Sequence, residues 1–378
     1  MPRRTVFACT ELFDNTGLLK DLITKDAIRI RNSSIFGKTP KTLPSNFSFD
    51  KVEGMLLGVA VGDALGATTE GALPADRHLL FGEIRDYVPG KRSNNRAIGV
   101  PTDDTQMTFW TLEQLVEDGG LIPDNLAKSF CKHNIIGIGS GTKRFIANYK
   151  EKHKPWYAAG GNECGNGALM RIAPIVVPYL KSPHPSMCAD AALATMITHN
   201  AFCSTSTCVA FVHILWELLT LSSIPEPQWW LDTYCSVAQE LEGTTRYPPR
   251  IQQHVDYDGP LWQLVDEVVR EALRKGMTVR EACNWWGSSG YLFSTVPSVL
   301  FILANHADNA EEAIIRAVND TRDNDTIAAI VGAAVGALHG LKGIPERWID
   351  GLTGRTRSND DGEVFKLIFR AKKAFWGR

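Results

Sequence analysis

Two stretches of this 378-residue chain place more carboxylates at the start of a helix than a helix start needs. "PTDDTQMTFW", residues 101–110, carries Thr102, Asp103, Asp104 and Thr105 just ahead of an apolar run. "NDTRDNDTIAAIVGAAVG", beginning at Asn319, sets Asp320, Asp323, Asp325 and Thr326 ahead of another. One acid at each place has an ordinary use. Asp103 could cap its helix, with Gln106 completing a capping box, and Asp325 could cap the other. The extra acids would then add only a few tenths of a kcal/mol, about 0.3, through the helix dipole. Two such clusters hold more negative charge than capping requires, and converging carboxylates repel unless they are protonated or neutralised by cations. Donors that are all oxygen, without His or Cys, select hard cations: Mg²⁺ first, then Mn²⁺ or Ca²⁺.

Three other stretches carry polar residues in places where chemistry could use them. "GDALGATTEG", residues 62–71, holds Asp63 and, seven residues on, Glu70. Asp63 could serve the site or simply accept from loop amides. "CGNGALMRIAPI", residues 164–175, flanks Asn166 with Gly165 and Gly167, a loop whose N–H groups could cradle a phosphate. "THN" at 198–200 offers His199, either a hydrogen-bonded structural histidine or a contact to substrate.

The elements that must position these residues are helical. Gly54, Gly58, Gly62 and Gly66 recur at every fourth residue, as do Ala328, Gly332, Gly336 and Gly340, so each set lines one helix face. Glycine inside a helix costs about 1 kcal/mol against alanine, and a stripe of them implies the close approach of another backbone. The two striped helices are expected to be buried and packed on each other. Further helices are predicted at 105–118, 189–221, 264–275 and 310–319, with "IVV" at 175–177 among the few strand-like runs. The Pro- and Trp-rich stretch 222–263 reads as a surface excursion. The fold class is all-α.

Residues 1–46 carry eight Lys and Arg against four acids in a chain whose net charge is −2. Within them "GLLKDLITKDAI" predicts a short amphipathic helix and "GKTPKTLPSNFS" an extended linker. The chain is therefore divided into a basic extension, 1–46, either partner-binding or disordered, and a domain, 47–378. A pI near 6.5 makes no electrostatic case for nucleic acid or membrane as partner. Eight cysteines without a C-x-x-C pair read as reduced thiols. No apolar h-region follows the N-terminal arginines, and no uncharged apolar run reaches membrane-span length. The expectation is a soluble, cytoplasmic protein.

In this order, "GMLLGVAVGDALG", "PTDDTQMT", "GNGALMRIAP", "THN" and "DNDTIAAIVGAAVGAL" resemble the ADP-ribosylglycohydrolase family, which includes the dinitrogenase-reductase-activating glycohydrolases. The likeness runs over residues 50–345. It implies one large helical domain with a binuclear Mg²⁺ (or Mn²⁺) centre in a cleft. By the family pattern Thr102, Asp103 and Asp104 bind metal from one side, and Asp323, Asp325 and Thr326 from the other. Asp103 or Asp104 is the implied base and Glu70 an alternative. Gly165, Asn166 and Gly167 face the pyrophosphate or distal ribose, and His199 and Asp63 are counted with the substrate-binding residues.

The implied reaction is hydrolysis of the N-glycosidic bond from ADP-ribose to a protein side chain, arginine favoured, through an oxocarbenium-like transition state. Serine- or O-acetyl-linked ADP-ribose and a non-catalytic binding role are the alternatives. The family also includes immunity proteins against ADP-ribosylating toxins, so the extension 1–46 could dock a cognate transferase. Two departures stand out. Asn324 replaces the threonine of a D-T-D-T pattern. The adenine-stacking aromatic of some relatives gives way to Cys164, with Trp156 and Tyr157 nearby.

Overall fold

The two glycine-striped segments form helices Asp50–Gly66 and Asn324–His339, and their stripes face each other. They run antiparallel: Gly54 opposes Gly336 and Gly340, Gly58 opposes Gly332, Gly62 opposes Ala328, and Gly66 opposes Asn324 and Asp325. A Cβ at Gly58 would land on the Gly332 carbonyl, and one at Gly66 on the backbone of Asp325. Backbone-to-backbone contact offsets the helix penalty of the glycines. This register also decides where the chemistry sits, because it brings the C-terminal turn of the first striped helix against the N-terminal turn of the second. Asp63 and Asp325 therefore arrive at the same end of the pair.

The computed structural model describes residues 14–247 and 257–377. The chain is 63% helical and, among the described residues, has no strands, only isolated bridges such as Gly165 to Tyr291. Helices Asp103–Asp118, Phe202–Thr220, Leu292–His306 and Ala310–Asp320 pack around the striped pair. The all-α class expected from the sequence is what the chain adopts.

Four local expectations are corrected. The single helix predicted over 189–221 is two, Ser186–Met196 and Phe202–Thr220. The break falls at Thr198–Asn200, where the Asn200 side chain accepts from Arg29 N and donates to Ala27 O, both in the N-terminal segment. "IVV" belongs to a buried 3₁₀ helix, Ala173–Tyr179, not to a strand. Over its described residues, 222–247 and 257–263, the stretch is no excursion, since it contains helix Pro227–Glu242, whose Trp230 and Leu231 are 1% and 0% exposed; 248–256 lie outside the described residues. Pro227 starts that helix, where its missing N–H is not needed. Last, Phe202–Thr220 is long and apolar enough to cross a bilayer, but 83% of its apolar window is buried, which makes it a core helix.

The predicted helix in the N-terminal segment forms as Thr16–Thr24, burying Leu19 and Leu22. Ile28, Ile30, Ile35 and Phe36 are also buried. Asn15 donates to Leu121 O and to Asp190, and Arg31 N donates to Leu241 O. From Asp14 onward the expected extension is thus seated on the helical body, because its apolar residues are numerous enough to be buried there. Residues 1–13 lie outside the described residues.

Candidate active site

Helix Asp103–Asp118 begins at Asp103, with Thr102 at the N-cap making no side-chain cap of its own. The cap comes from another helix. Asp63, wholly buried, accepts at Oδ2 from Thr102 N (2.8 Å) and Thr105 N (3.0 Å), and at Oδ1 from the Thr102 hydroxyl (2.8 Å). A distant carboxylate supplies the acceptor that helix starts need, so Asp103 and Asp104 are free of that duty. This corrects two expectations. Asp103 is not the cap, and Gln106 does not close a capping box, since its Oε1 accepts from Ile136 N (2.8 Å). Nor is Asp63 a substrate contact: it is the buried anchor of the Thr102–Thr105 turn.

The second cluster repeats the arrangement. Asp323 is the N-cap residue of Asn324–His339 without a side-chain cap bond, and among the described residues Asp325 accepts only from the adjacent Thr326 N (2.9 Å). Across the junction Thr326 Oγ1 donates to Asp104 Oδ2 (3.3 Å). One oxygen from each of Asp63, Asp104 and Asp325 lies within 4.8 Å of the others, and the same holds for Glu70, Asp323 and Asp325. Asp325 is common to both groups. Asp103 belongs to neither and borders the cluster beside Gly137, where a Cβ would stand 2.8 Å from its Oδ1.

Burial and mutual repulsion shape the electrostatics. Burial, then the neighbouring Asp63, pushes Asp103 up to about 7. Burial pushes Asp323 up to about 6 against the hydrogen bond from Asn166. Asp104 and Asp325 are raised well above the carboxylate range, by burial first and then by neighbouring acids. Asp104 is 1% exposed and among the described residues its Oδ1 has no hydrogen-bond partner, a costly state for a buried polar oxygen. Crowded oxygen donors with an orphaned buried oxygen fit a hard divalent cation. The hydroxyls of Thr102 and Thr326 donate to Asp63 and Asp104, which leaves oxygen lone pairs on both threonines for such an ion.

The glycine loop does something other than expected. Asn166 donates its side-chain amide to Asp323 Oδ2 (2.6 Å) and Thr295 Oγ1 (3.1 Å), and its backbone N–H to Gly290 O (3.1 Å). It orients a carboxylate of the cluster rather than facing a pyrophosphate, and its amide is not free to cradle one. Gly165 and Gly167 make room for the His199 ring: a Cβ at Gly167 would stand 3.0 Å from Cε1, and one at Gly165 3.3 Å from Nε2. Gly141, which sequence reasoning missed, completes this cage, with a Cβ 2.5 Å from Nε2; the "GSG" run at 139–141 was the available signal.

His199 is buried, and its Nδ1 lies 2.9 Å from Thr198 Oγ1, which also accepts from Arg171 Nη2 (2.9 Å). Burial, then the Arg171 charge, pulls His199 down to about 3, so it is neutral at ordinary pH. Glu70 is the exposed member of the cluster, 41% accessible, with Arg92 Nη2 at 3.9 Å. A cavity of about 420 Å³, lined by Thr68, Glu70, Lys91, Arg92 and Val100, opens beside it. Cys164 is buried, while Trp156 and Tyr157 form an edge-to-face pair with Tyr157 exposed.

These features mark out a class: helical proteins with oxygen donors gathered at the facing ends of two tightly packed helices. The family model described as ADP-ribosylglycohydrolase matches residues 44–373, and the chain belongs to that family. It is 27% identical to the ADP-ribosylarginine hydrolase Tri1 of Serratia proteamaculans, covering 86% of this chain and 81% of that one. It is 26% identical to the ADP-ribosyl-[dinitrogen reductase] glycohydrolase of Rhodospirillum rubrum, over 84% and 96% of the two chains. A solved structure of an ADP-ribosylglycohydrolase-related protein complex superposes with a TM-score of 0.64 at 26% identity, covering 86% of this chain and 98% of that one.

Proposed function

We propose that this ADP-ribosylglycohydrolase removes ADP-ribose from modified arginine side chains, using divalent cations, Mg²⁺ first and Mn²⁺ second, held in the acidic cluster. The observation that carries the reading is the meeting of two remote carboxylate groups, each within 4.8 Å, on the shared Asp325. Asp104 and Asp325, with Asp323, Thr102 and Thr326, would hold the ions. Bound there, the ions would supply ligation of the ribose diol and a water of lowered pKa.

The rest falls to the protein's own groups. Asp103, at the border of the cluster and outside both oxygen groups, is suited by position to take the proton of the attacking water. Glu70, on the open side, is the alternative base and faces the leaving guanidinium with negative charge. Asn166 fixes the Asp323 carboxylate. Neutral His199, oriented by Thr198, adds no positive charge beside an oxocarbenium-like transition state.

Arginine is favoured because the named Tri1 relative acts on ADP-ribosylarginine. A relative named ADP-ribosylhydrolase ARH3, from Xenopus tropicalis, is 24% identical, so serine- and O-acetyl-linked substrates are the comparison in the assay. Immunity to an ADP-ribosylating toxin, with the segment 1–46 docking the transferase and the whole acting in the cytoplasm, extends this reading on the segment's excess of basic residues. The test is release of free ADP-ribose from arginine-, serine- and O-acetyl-linked substrates with Mg²⁺ or with chelator. Release that ignores the chelator would refute the cation mechanism, and release that survives Asp103→Ala would move the base to Glu70. Reversing the charge of Lys20 and Lys38 should lower capture of a cognate transferase if the segment docks it.

A further inference from the structure

Arg77 sits in "PADRHLLF", is fully buried, and takes no part in any step above. Its guanidinium makes six hydrogen bonds, all to one seam. On one side it donates to Thr69 Oγ1 (3.1 Å), Thr69 O (3.3 Å) and Ala72 O (3.0 Å). On the other it donates to Val318 O (2.8 Å), Asn319 O (3.3 Å) and Thr321 O (2.8 Å). Thr69 and Ala72 bracket Glu70. Val318 to Thr321 end helix Ala310–Asp320 and lead into Asp323 and Asp325. Two further ties close the same seam: Gly71 N donates to Arg322 O (3.2 Å), and the Asn324 amide donates to Thr69 Oγ1 (3.0 Å) and Gly66 O (3.3 Å). Asn324, the departure from the D-T-D-T pattern, is thus employed in joining the two segments.

We infer that Arg77 is a positioning residue that holds Glu70 against Asp323 and Asp325 and so sets the cation affinity of that oxygen group more than that of the group it shares Asp325 with. The other group shares Asp325, which also lies within reach of the Arg77 charge, but its Asp63 is held by bonds to Thr102 and Thr105, and among the described residues no hydrogen bond joins Arg77 to Asp63 or Asp104. Glu70 needs the help. It is 41% exposed and its ion pair with Arg92, at 3.9 Å, is too long and too wet to order it. A carboxylate that must be immobilised as an ion binds subtracts that entropy from the affinity. Arginine suits the place because a planar fork of five N–H groups reaches acceptors on both sides of a seam, where lysine has three donors at a point.

The inference rests on the cation reading of the cluster, and its test reads binding rather than turnover. Mn²⁺ is titrated into the full chain by calorimetry and by electron paramagnetic resonance, for wild type, Arg77→Met, Arg77→Lys, Glu70→Gln and the Arg77→Met/Glu70→Gln double variant, each checked for cooperative melting. Wild type should show two classes of site. Arg77→Met should weaken one class at least tenfold and the other, which shares Asp325, no more than about threefold. Glu70→Gln should weaken the same class, and the double variant should be no worse than the weaker single. Should Arg77→Met fail to fold, Arg77→Lys carries the test with a smaller loss, about threefold to tenfold in that class and less than twofold in the other. Equal weakening of both classes, no weakening of either, or additive effects in the double variant would overturn the role of Arg77. A wild type that binds no Mn²⁺ would overturn the cation reading as well, so the two failures are told apart.

Discussion

Thr326 Oγ1 donates to Asp104 Oδ2 across 3.3 Å of space and 222 residues of chain. That contact joins the two acidic clusters into one site and sets their mutual geometry. Neither residue caps its own helix, and each is left to face the other because the stripes of small residues bring the helix ends within reach.

The stripes make a sharp stability prediction. Gly58→Ala would drive a methyl group into the Gly332 carbonyl, and overpacking of this kind typically costs about 1–3 kcal/mol, more where backbone is the obstacle. Gly17, also helical, has no atom of the described residues within 4 Å of where a Cβ would stand. Gly17→Ala should therefore be neutral or stabilise by up to about 1 kcal/mol. Urea melts of both variants check this, and equal effects would be incompatible with the packing described.

Asp63→Ala leaves the amides of Thr102 and Thr105 and both of their buried hydroxyls without their acceptor. Each unsatisfied buried group costs about 1–3 kcal/mol, and a net loss of about 3 kcal/mol is expected after relaxation. Mn²⁺ affinity should fall with it, because the turn carrying Asp104 is released. Loss of activity with stability unchanged would instead restore Asp63 to the substrate contacts.

Asn166→Ala separates orientation of Asp323 from contact with substrate. Removing a partner of a metal ligand typically lowers metal affinity about 10–100-fold. The expected result is weaker Mn²⁺ binding, with KM for substrate at saturating metal changed less than threefold. A raised KM with unaltered metal affinity would return Asn166 to the pyrophosphate.

The carboxylates predict a linkage between metal, protons and stability. Without metal, Asp103 and Asp323 titrate in the folded chain near 7 and 6, against an ordinary value of 3.8. Between those values the folded state holds protons that the unfolded chain has released, so stability falls as pH rises. The contribution is intact below about pH 4 and is lost through 6 and 7, by up to about 1.4 kcal/mol per pH unit for each net proton. Cations replace those protons. The gap in melting temperature between Mg²⁺ and chelator should therefore widen from pH 5 to pH 8, with proton release on binding seen by calorimetry in two buffers. Asp190 and Glu242, also pushed up to about 7 by burial, give a slope common to both conditions, and it cancels. A gap that does not vary with pH would contradict the electrostatics described.

Much of this protein was legible from the order of its residues. Helical periodicity, two stripes of small residues and the inventory of oxygen donors at Thr102–Asp104 and Asp323–Thr326 are local patterns, and a local pattern reports backbone geometry and ligand chemistry within a window of a few turns. Which side chain serves which was settled by packing. The capping of Thr102 and Thr105 by Asp63, the turn of Asn166 toward Asp323, the glycine cage around His199, the seating of residues 14–46 on the body and the bonding of Arg77 across the Glu70 seam each join segments far apart in the chain. Such pairings depend on how closely two backbones approach, and that approach is a property of the packed helices rather than of any one stretch of residues.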